Sequence, residues 1–366
     1  MGLTELKIGF IEEKRRAIEG ASTGVVLLLL KETTLTGLKE YTSFDEVKEN
    51  YTETNKKYIE QAFMGNVQDV RNGTLLEQRA YTPTKVMVYA LEEAGLDTVL
   101  EELENEEFNY MCMPEATDEG GENAKLIEFI NNIGSIGYDA SLVCATKTPP
   151  NSSNVINFEL DEIKEGDITY TANSLLAHIC GICAGTPLTQ SITYCHENLL
   201  TNIVKKTDEE NDEAIDAGKL ILIKKAGKIR IARGVTSLAT TNENEGESFK
   251  KIKLVRTYKL IGNSIKKVIT EFYVGKVSNS YDNKVLLISE IGNFLKLLNN
   301  DSLIEEYYSI DIDLEATKKY LKEQNIDYSS FTEQEIKESD TGSKVFLSLS
   351  LKGIDAMEDF NIKINV

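Results

Sequence analysis

Residues 218–242 have the sequence GKLILIKKAGKIRIARGVTSLATTN, and the rest of the chain is organised around them. Hydrophobic residues fill positions 220–223, and isoleucines alternate with cations after the dipeptide Ala226-Gly227. This pattern predicts a β-hairpin that turns at Ala226-Gly227. An acidic loop follows at 242–247, and a long amphipathic pattern begins at residue 248. We therefore predict a boundary between two domains after residue 247.

Short apolar runs alternate with amphipathic stretches before this boundary. The run GVVLLLL at 24–30 contains no polar residue, which is typical of a strand buried on both faces of a sheet. The alternation predicts a doubly wound, layered α/β domain at residues 20–247. Its further strands are expected at 85–90, 108–113, 141–145, 155–160 and 167–170, and its helices at 45–64, 96–103, 121–133, 171–184 and 207–217.

A smaller α+β domain is predicted at residues 248–358. Apolar residues spaced four and three apart indicate an amphipathic helix within 248–276. Eight cations but a single acid, Glu271, lie in that stretch. Further helices are expected at 283–298 and 314–324, and a strand at 345–351.

Both ends of the chain carry strand patterns without a partner nearby in the sequence. Apolar side chains alternate with polar ones at 3–13 and again at 359–366. The alternating residues are Leu6, Ile8 and Phe10 at one end and Phe360, Ile362, Ile364 and Val366 at the other. Two strands alone make a marginal sheet, so a missing partner is implied. We treat residues 1–19 as an N-terminal arm and 359–366 as a C-terminal arm strand.

Composition narrows the class of function. The chain has 366 residues and a net charge of −20, which disfavours binding to nucleic acid because the phosphate backbone would repel it. The apolar run at 24–30 is too short for a membrane span or a signal sequence, so we expect folding in the cytoplasm without membrane insertion. Five cysteines, an odd number, favour reduced thiols over a disulfide framework.

Residues that could carry chemistry cluster between 178 and 196. His178, Cys180, Cys183 and His196 invite a zinc or thiol centre, but the CxxC lies in an apolar helical pattern rather than on turns. Ser237 follows the predicted hairpin instead of opening a helix, which disfavours a serine hydrolase. No phosphate-binding glycine motif occurs. We expect no cofactor and no enzymatic activity, and an α/β enzyme with a centre at Cys180 and Cys183 stays as the alternative.

The hexapeptide RGVTSL at 233–238 resembles a signature of the contractile tail sheath proteins of phages and of R-type bacteriocins. Further segments resemble that family in the same order: AHICGICAGTPLTQSITY at 177–194, then 286–299, then 314–321 with 341–347. The N-terminal part of the chain is similar only in its order of elements.

This resemblance implies a subtilisin-like α/β main domain and a structural role. The family's sheath is a helical stack of hexameric rings around an inner tube, and its contraction drives the tube through a cell envelope. The implied partners are other copies of the chain, the inner tail tube protein, and baseplate and tail terminator proteins. Assembly is expected in the bacterial cytoplasm, followed by release in a virion tail or a bacteriocin particle. A non-contractile structural protein of a tail or secretion machine is a second alternative.

The resemblance also gives the terminal strands a role, because sheath subunits donate terminal arms to sheets of their neighbours. The alternating residues of the two arms then become intersubunit strands. Residues of the predicted strand at 345–351 become the recipient: Val345, Leu347, Leu349 and Leu351. Exposed cations become possible contacts with the tube or another subunit: Lys250, Lys251, Lys253, Lys318, Lys319 and Lys322.

Overall fold

A computed structural model describes residues 24–33, 35–72, 75–91, 95–135 and 139–365. They form two compact units. The α/β unit holds the described residues of 24–260 together with 355–365, and the C-terminal unit holds residues 261–354. The sequence-based boundaries after residues 19, 247 and 358 stay a prediction about domains.

The α/β unit alternates strands and helices along most of its length. In chain order it contains β1 (Val25–Lys31), β2 (Gly37–Tyr41), α1 (Glu53–Met64), β3 (Asn66–Asn72), β4 (Leu75–Tyr81), β5 (Lys85–Leu91), α2 (Leu96–Leu103), β6 (Tyr110–Cys112), α3 (Glu122–Ser135), β7 (Ser141–Cys144), β8 (Val155–Glu159), β9 (Ile163–Glu165), β10 (Ile168–Tyr170), α4 (Ala172–Gly185), α5 (Asp208–Asp216), β11 (Lys219–Lys225), β12 (Lys228–Ile231) and the start of α6 (Ile252–Phe272).

An eight-stranded sheet lies at the centre of this unit, in the order β12-β11-β8-β7-β6-β1-β5-β2. The six inner strands run parallel, whereas β2 and β12 pair antiparallel at the two edges. Both edge strands carry charged residues: Lys39 and Glu40 on β2, and Lys228 and Arg230 on β12.

Strand β1 shows why the sheet needs a helical layer on each face. Val26, Leu28 and Leu30 lie in one apolar cluster with residues of α1 and α4. Leu27 and Leu29 lie in a second cluster with residues of α2 and α3. Each fully buried aliphatic side chain stabilises the fold by about 1.5–3 kcal/mol, so an uninterrupted apolar strand fits only such a two-sided core. The predicted layered α/β fold is confirmed.

The hairpin at the centre of the sequence argument is also confirmed. β11 pairs antiparallel with β12, and Lys225 lies opposite Lys228 across the turn. Ala226 and Gly227 adopt φ values of 51° and 77°. Positive φ at both central residues matches the right-handed twist of the strands that they join.

Several elements of the α/β unit differ from their predictions. The helix predicted at 45–64 is only α1, because Thr52 caps its first turn and residues 44–46 form a separate short turn. β3 and β4 form a two-stranded antiparallel sheet that was not predicted, and neither was the edge strand β2. β9 and β10 pair with each other outside the large sheet.

The C-terminal unit contains the end of α6, α7 (Tyr281–Asn300), β13 (Ser309–Ile312), α8 (Leu314–Glu323), α9 (Glu333–Glu338) and β14 (Leu347–Ser350). The predicted inward-facing residues of α7 are buried: Leu287, Ile291, Phe294 and Leu298. β14 pairs antiparallel with β13, a strand that was not predicted. Among the described residues these two strands form a sheet of their own.

Candidate functional site

The C-terminal tail, residues 359–365, forms no strand within the described part of the chain. Its apolar residues are almost free of contacts, since Phe360, Ile362 and Ile364 are 72%, 77% and 80% exposed. Large side chains that are exposed in alternation carry a strand pattern without a sheet to pack on. The remaining predicted arm residues, Leu6, Ile8, Phe10 and Val366, lie outside the described residues.

Glu358 holds the base of this tail against the α/β unit. Its side chain is 5% exposed, although Met357 before it is 88% exposed. Thr193 Oγ1 donates a hydrogen bond of 2.6 Å to Glu358 Oε1, and Ser191 Oγ lies 3.0 Å from the same oxygen. Lys251 Nζ donates to Glu358 Oε2. We call Ser191, Thr193, Arg233, Lys251 and Glu358 the tail anchor.

Arg233 contributes to the tail anchor from the RGVTSL segment. Its Nε lies 3.7 Å from Glu358 Oε2, and one of its terminal nitrogens pairs with Asp359. Lys251 also lies 3.4 Å from Asp355. Three acidic side chains at the base of the tail are therefore matched by two cations of the α/β unit.

Charge and hydrogen bonding hold Glu358 in its ionised form. Burial alone would raise the pKa of Glu358, but the bonds from Lys251 and Thr193 outweigh that penalty and lower it. The carboxylate is consequently ionised at neutral pH. A buried carboxylate that accepts charge-assisted bonds is costly to unpair, which makes the anchor a strong point contact.

Gly234 brings the two segments of the anchor together. Its N–H donates a 2.9 Å hydrogen bond to Thr193 Oγ1. A Cβ atom at this position would lie 2.9 Å from Ile192 Cγ1 and 3.3 Å from Ser191 Oγ. Only glycine permits this close approach, so the signature hexapeptide and the Ser191–Thr193 segment act as one packed site.

The predicted recipient strand lies in the C-terminal unit. Leu347 and Leu349 belong to β14 and pair with Ile312 and Ile310 of β13. Leu349 is 36% exposed and Val345, just before the strand, is 45% exposed. Leu351 follows the strand and is half-buried. Within the described residues the other edge of β14 has no partner strand, as strand addition requires.

Several of the lysines predicted to contact other subunits form ion pairs within this chain. Lys250 pairs with Glu247 at 3.0 Å, Lys251 belongs to the tail anchor, and Lys253 is 7% exposed. Lys318 pairs with Glu315 at 2.8 Å, and Lys319 and Lys322 are exposed on α8. Contacts of these lysines with the tube or another subunit stay a prediction.

Two further cations of α6 bind backbone groups of the α/β unit. Arg256 is 8% exposed, donates to the carbonyl oxygens of Cys183 and Thr186, and lies 6.0 Å from the ring centre of Tyr110. Lys259 Nζ donates to Ala140 O and lies 3.0 Å from Ser141 Oγ. These cations fasten the start of α6 to the carboxyl end of α4 and to β7.

The candidate chemical residues serve packing instead. Cys180 and Cys183 are buried in α4, and the intervening Gly181 lets the helix approach α1, since a Cβ there would lie 2.3 Å from Ala62 O. Burial raises the pKa of Cys183 to about 12, which opposes thiolate chemistry. All five cysteines are free thiols. Among the described residues no group of three or more histidine, cysteine, aspartate or glutamate side chains is arranged to hold a metal ion.

His178 and Ser237 are likewise engaged inside the α/β unit. His178 Nε2 lies 3.3 Å from Glu197 Oε2 in a site closed to solvent. Ser237 is fully buried, and its hydroxyl donates to Ser152 O at 2.9 Å. That hydroxyl joins two loops and is not presented to a substrate. No helix of the described residues is long and apolar enough to cross a bilayer.

The sequence patterns marked RGVTSL at 233–238 and the segment SITY at 191–194 separately, without a joint role. No pattern marked Glu358. The available signal was polarity: Ser191 and Thr193 flank the apolar Ile192, and Arg233 follows the apolar pair Ile231-Ala232. Buried polar side chains need partners, and Glu358 supplies one from a distant part of the sequence.

Comparison with known proteins gives family matches over most of the chain. The family model for the phage tail sheath protein central domain matches residues 90–237, and the model for the phage tail sheath C-terminal domain matches residues 244–366. The chain is 37% identical over 366 residues to the tail sheath protein of Clostridium phage phiCD119, with 100% of this chain and 99% of that protein covered.

Solved structures share the fold at low sequence identity. A sheath tail protein of Listeria innocua superposes with a TM-score of 0.65 at 12% identity over 85% of this chain and 93% of that one. One from Desulfitobacterium hafniense gives 0.61 at 15% identity over 80% and 91%. A chain of the anti-feeding prophage baseplate gives 0.64 at 13% identity over 94% and 93%.

Proposed function

The chain belongs to the phage tail sheath family and is a structural component of a phage or phage-like particle, and we propose that it polymerises into a contractile sheath. In this proposal stacked hexameric rings surround an inner tube, and each subunit gives its terminal arms to neighbouring copies. Contraction of the sheath drives the tube through a target cell envelope.

The observation that carries the proposal is the exposed, alternating tail. Phe360, Ile362 and Ile364 present an apolar stripe at a spacing of two residues, and each stays at least 72% exposed beside the described part of its own chain. A strand with this pattern gains main-chain hydrogen bonds and an apolar face when it is added to an open sheet edge. Another copy of the chain is the partner that supplies such an edge.

Strand β14 is the recipient in this proposal. Its residues Leu347 and Leu349, with Val345 and Leu351 beyond its ends, also alternate at a spacing of two. A tail strand placed beside β14 would continue this apolar stripe, so Phe360, Ile362 and Ile364 would cover side chains that are now partly exposed. The sheet of β13 and β14 would then gain the partner that a two-stranded sheet lacks.

Strand exchange between copies also supports the proposed contraction of the sheath and its proposed partners, the inner tube, the baseplate and the tail terminator proteins. Arms joined to neighbouring copies keep the lattice connected while subunits move as near-rigid bodies. An extended sheath that is kinetically trapped around the tube would contract after a signal from the baseplate, and tail terminator proteins would cap it. The free energy that drives the tube would come from new contacts between subunits. The proposed mechanism needs no catalytic step.

Electron microscopy of the purified chain tests the proposal. We expect the full-length chain to form tubes, and variants without residues 1–16 or without residues 360–366 to stay monomeric. Tubes of normal length and diameter from either deletion variant would contradict strand exchange. The control is Lys363→Gln, which changes the tail outside its apolar stripe and should still form tubes.

Chemical crosslinking tests the recipient directly. Cysteines placed at Ile364 and at Ser350 of β14, in separate preparations that are mixed before assembly, should form crosslinks between copies. All five native cysteines are buried, so the introduced thiols can be addressed selectively. A cysteine at exposed Asp216 of α5, paired with the same Ile364 variant, is the control. Crosslinking to position 216 but not to 350 would exclude β14 as the recipient.

A further inference from the structure

Only one acidic side chain at the base of the tail is buried. Asp355, Met357 and Asp359 are all exposed, whereas the Glu358 side chain is 5% exposed. The segment is fixed at this buried carboxylate, and the pairs of Asp355 with Lys251 and of Asp359 with Arg233 add more exposed contacts on either side. The segment therefore behaves as a tether with a defined origin.

We propose that Glu358 is the positioning residue of the C-terminal tail, and that the tail anchor sets the point from which every tail leaves its subunit. This inference rests on the proposed strand exchange. The donated tail then consists of residues 360–366, because the chain before them is bound to its own α/β unit.

The anchor limits where a recipient can lie. Seven extended residues span at most about 23–25 Å. A tail that starts at Glu358 thus reaches only an immediately adjacent copy, and movement of one subunit is transmitted to the next through a short link. Without the anchor, residues 355–359 would lengthen the free segment and make the link slack.

The chemistry of the anchor explains why it can transmit movement. Glu358 receives hydrogen bonds from Thr193 and Lys251, and these groups come from segments that are themselves packed in the α/β unit. Hydrogen bonds to a buried carboxylate are among the stronger noncovalent contacts in proteins. Displacing the tail base would break the hydrogen bonds of Glu358 to Thr193 and Lys251 together, so the contact opens only at the cost of several bonds at once.

Spin-label distance measurements test the anchor in the monomer. Labels on Met357→Cys and Glu213→Cys, both exposed positions associated with the α/β unit, report how firmly the tail base is held. We expect a narrow distance distribution that broadens in Glu358→Gln, because losing a charge-assisted hydrogen bond shifts a local opening equilibrium by roughly tenfold or more. Lys251→Gln perturbs the anchor from the other side and should broaden the distribution as well.

The control is Glu209→Gln, the same change at an exposed residue of α5. Thermal unfolding of every variant shows whether the fold is retained, so that a distance change reports the tail and not the core. Distributions in Glu358→Gln and Lys251→Gln that match the control would overturn the proposal.

Assembly separates this inference from the proposed function. If the variant lacking residues 360–366 forms no tubes and Glu358→Gln forms tubes that dissociate at lower salt than wild type, both stand. If the truncated variant forms normal tubes, strand exchange is wrong, whatever the spin labels show. If truncation prevents assembly but Glu358→Gln matches Glu209→Gln in both salt resistance and distance distribution, the exchange stands and the anchor is overturned.

Discussion

Replacing Gly234 with alanine tests the packing on which the tail anchor depends. Gly234 is buried and lies outside the left-handed backbone region, so alanine can adopt its conformation without backbone strain. The new methyl group would meet Ile192 Cγ1 at 2.9 Å and Ser191 Oγ at 3.3 Å. Ile192 is 3% exposed, so its side chain has little room to move away.

The expected change in the free energy of unfolding is the difference between two opposing effects. Forcing an extra carbon into a packed site costs about 1–3 kcal/mol. The lower conformational entropy of the unfolded chain returns about 0.4–1 kcal/mol. We therefore expect Gly234→Ala to lower the free energy of unfolding by about 1–2 kcal/mol. Because the segment 191–193 must shift, the bonds from Ser191 and Thr193 to Glu358 should weaken as well.

Urea denaturation followed by circular dichroism measures the stability loss, and the spin-label pair described above measures the anchor. Gly246→Ala is the matched control, because nothing lies within 4 Å of a Cβ at Gly246. Replacing this glycine should leave stability unchanged or raise it by up to about 0.4–1 kcal/mol, because only the unfolded chain is affected. The packing argument is wrong if Gly234→Ala unfolds at the same urea concentration as Gly246→Ala.

Three further predictions follow from described contacts. The pKa of Glu358 lies below its ordinary value of 4.5, so the tail anchor is intact above pH 4.5 and is lost as the pH falls through the lowered pKa. The spin-label distance distribution should therefore broaden only when the solution is acidified below pH 4.5. Arg256→Met should lower the free energy of unfolding by about 2–4 kcal/mol in urea titrations, because it leaves the buried carbonyl of Thr186 without its donor; an unchanged midpoint would contradict this. Ala226→Asn should raise the free energy of unfolding by about 0.5 kcal/mol, and the thermal midpoint with it, since asparagine tolerates the positive φ before Gly227 better than alanine. A lower thermal midpoint would refute the turn assignment.

The parts of the fold that could be predicted have strong local signals. The apolar run in β1 and the Ala226-Gly227 turn each specify their structure within a few residues. The spacing along α7 placed Leu287, Ile291 and Phe294 in the core correctly. Burial on one face of α7 leaves a periodic trace in the sequence, and burial on both faces of β1 leaves an unbroken apolar run.

Elements whose structure depends on a distant partner could not be predicted. β13 has the sequence Ser-Ile-Asp-Ile and becomes a strand through its pairing with β14. Pairing energy of this kind does not appear in local periodicity. β3 and β4 are neighbours in the sequence but escaped prediction for another reason, because neither NVQDVRN nor LLEQRAY alternates apolar with polar residues.

The tail anchor was harder to predict from the sequence than the fold. Glu358 is an acid in a polar segment, and its hydroxyl partners Thr193 and Ser191 lie 165 and 167 residues away in the sequence. The cations near the start of α6 were equally hard to assign, because Lys251 and Arg256 bind groups inside the α/β unit that no local pattern reveals. Long side chains can bury their stems and still find polar partners, so a run of cations does not by itself mark an outer surface.

The charged edges of the large sheet bear on how such a protein avoids uncontrolled aggregation. A chain that polymerises by adding strands risks joining at every open edge. Residues 194–197 already cover the outer edge of β12, where Glu197 N–H donates to Ile229 O and Ile231 N–H donates to Cys195 O. Among the described residues β2 has no strand on its outer side, and its Lys39 and Glu40 make that edge a poor template for an incoming strand. β14, with the sequence Leu-Ser-Leu-Ser, carries no such deterrent. In the proposed sheath, strand addition is thereby directed to β14, and growth at a single edge per subunit favours an ordered lattice over a precipitate.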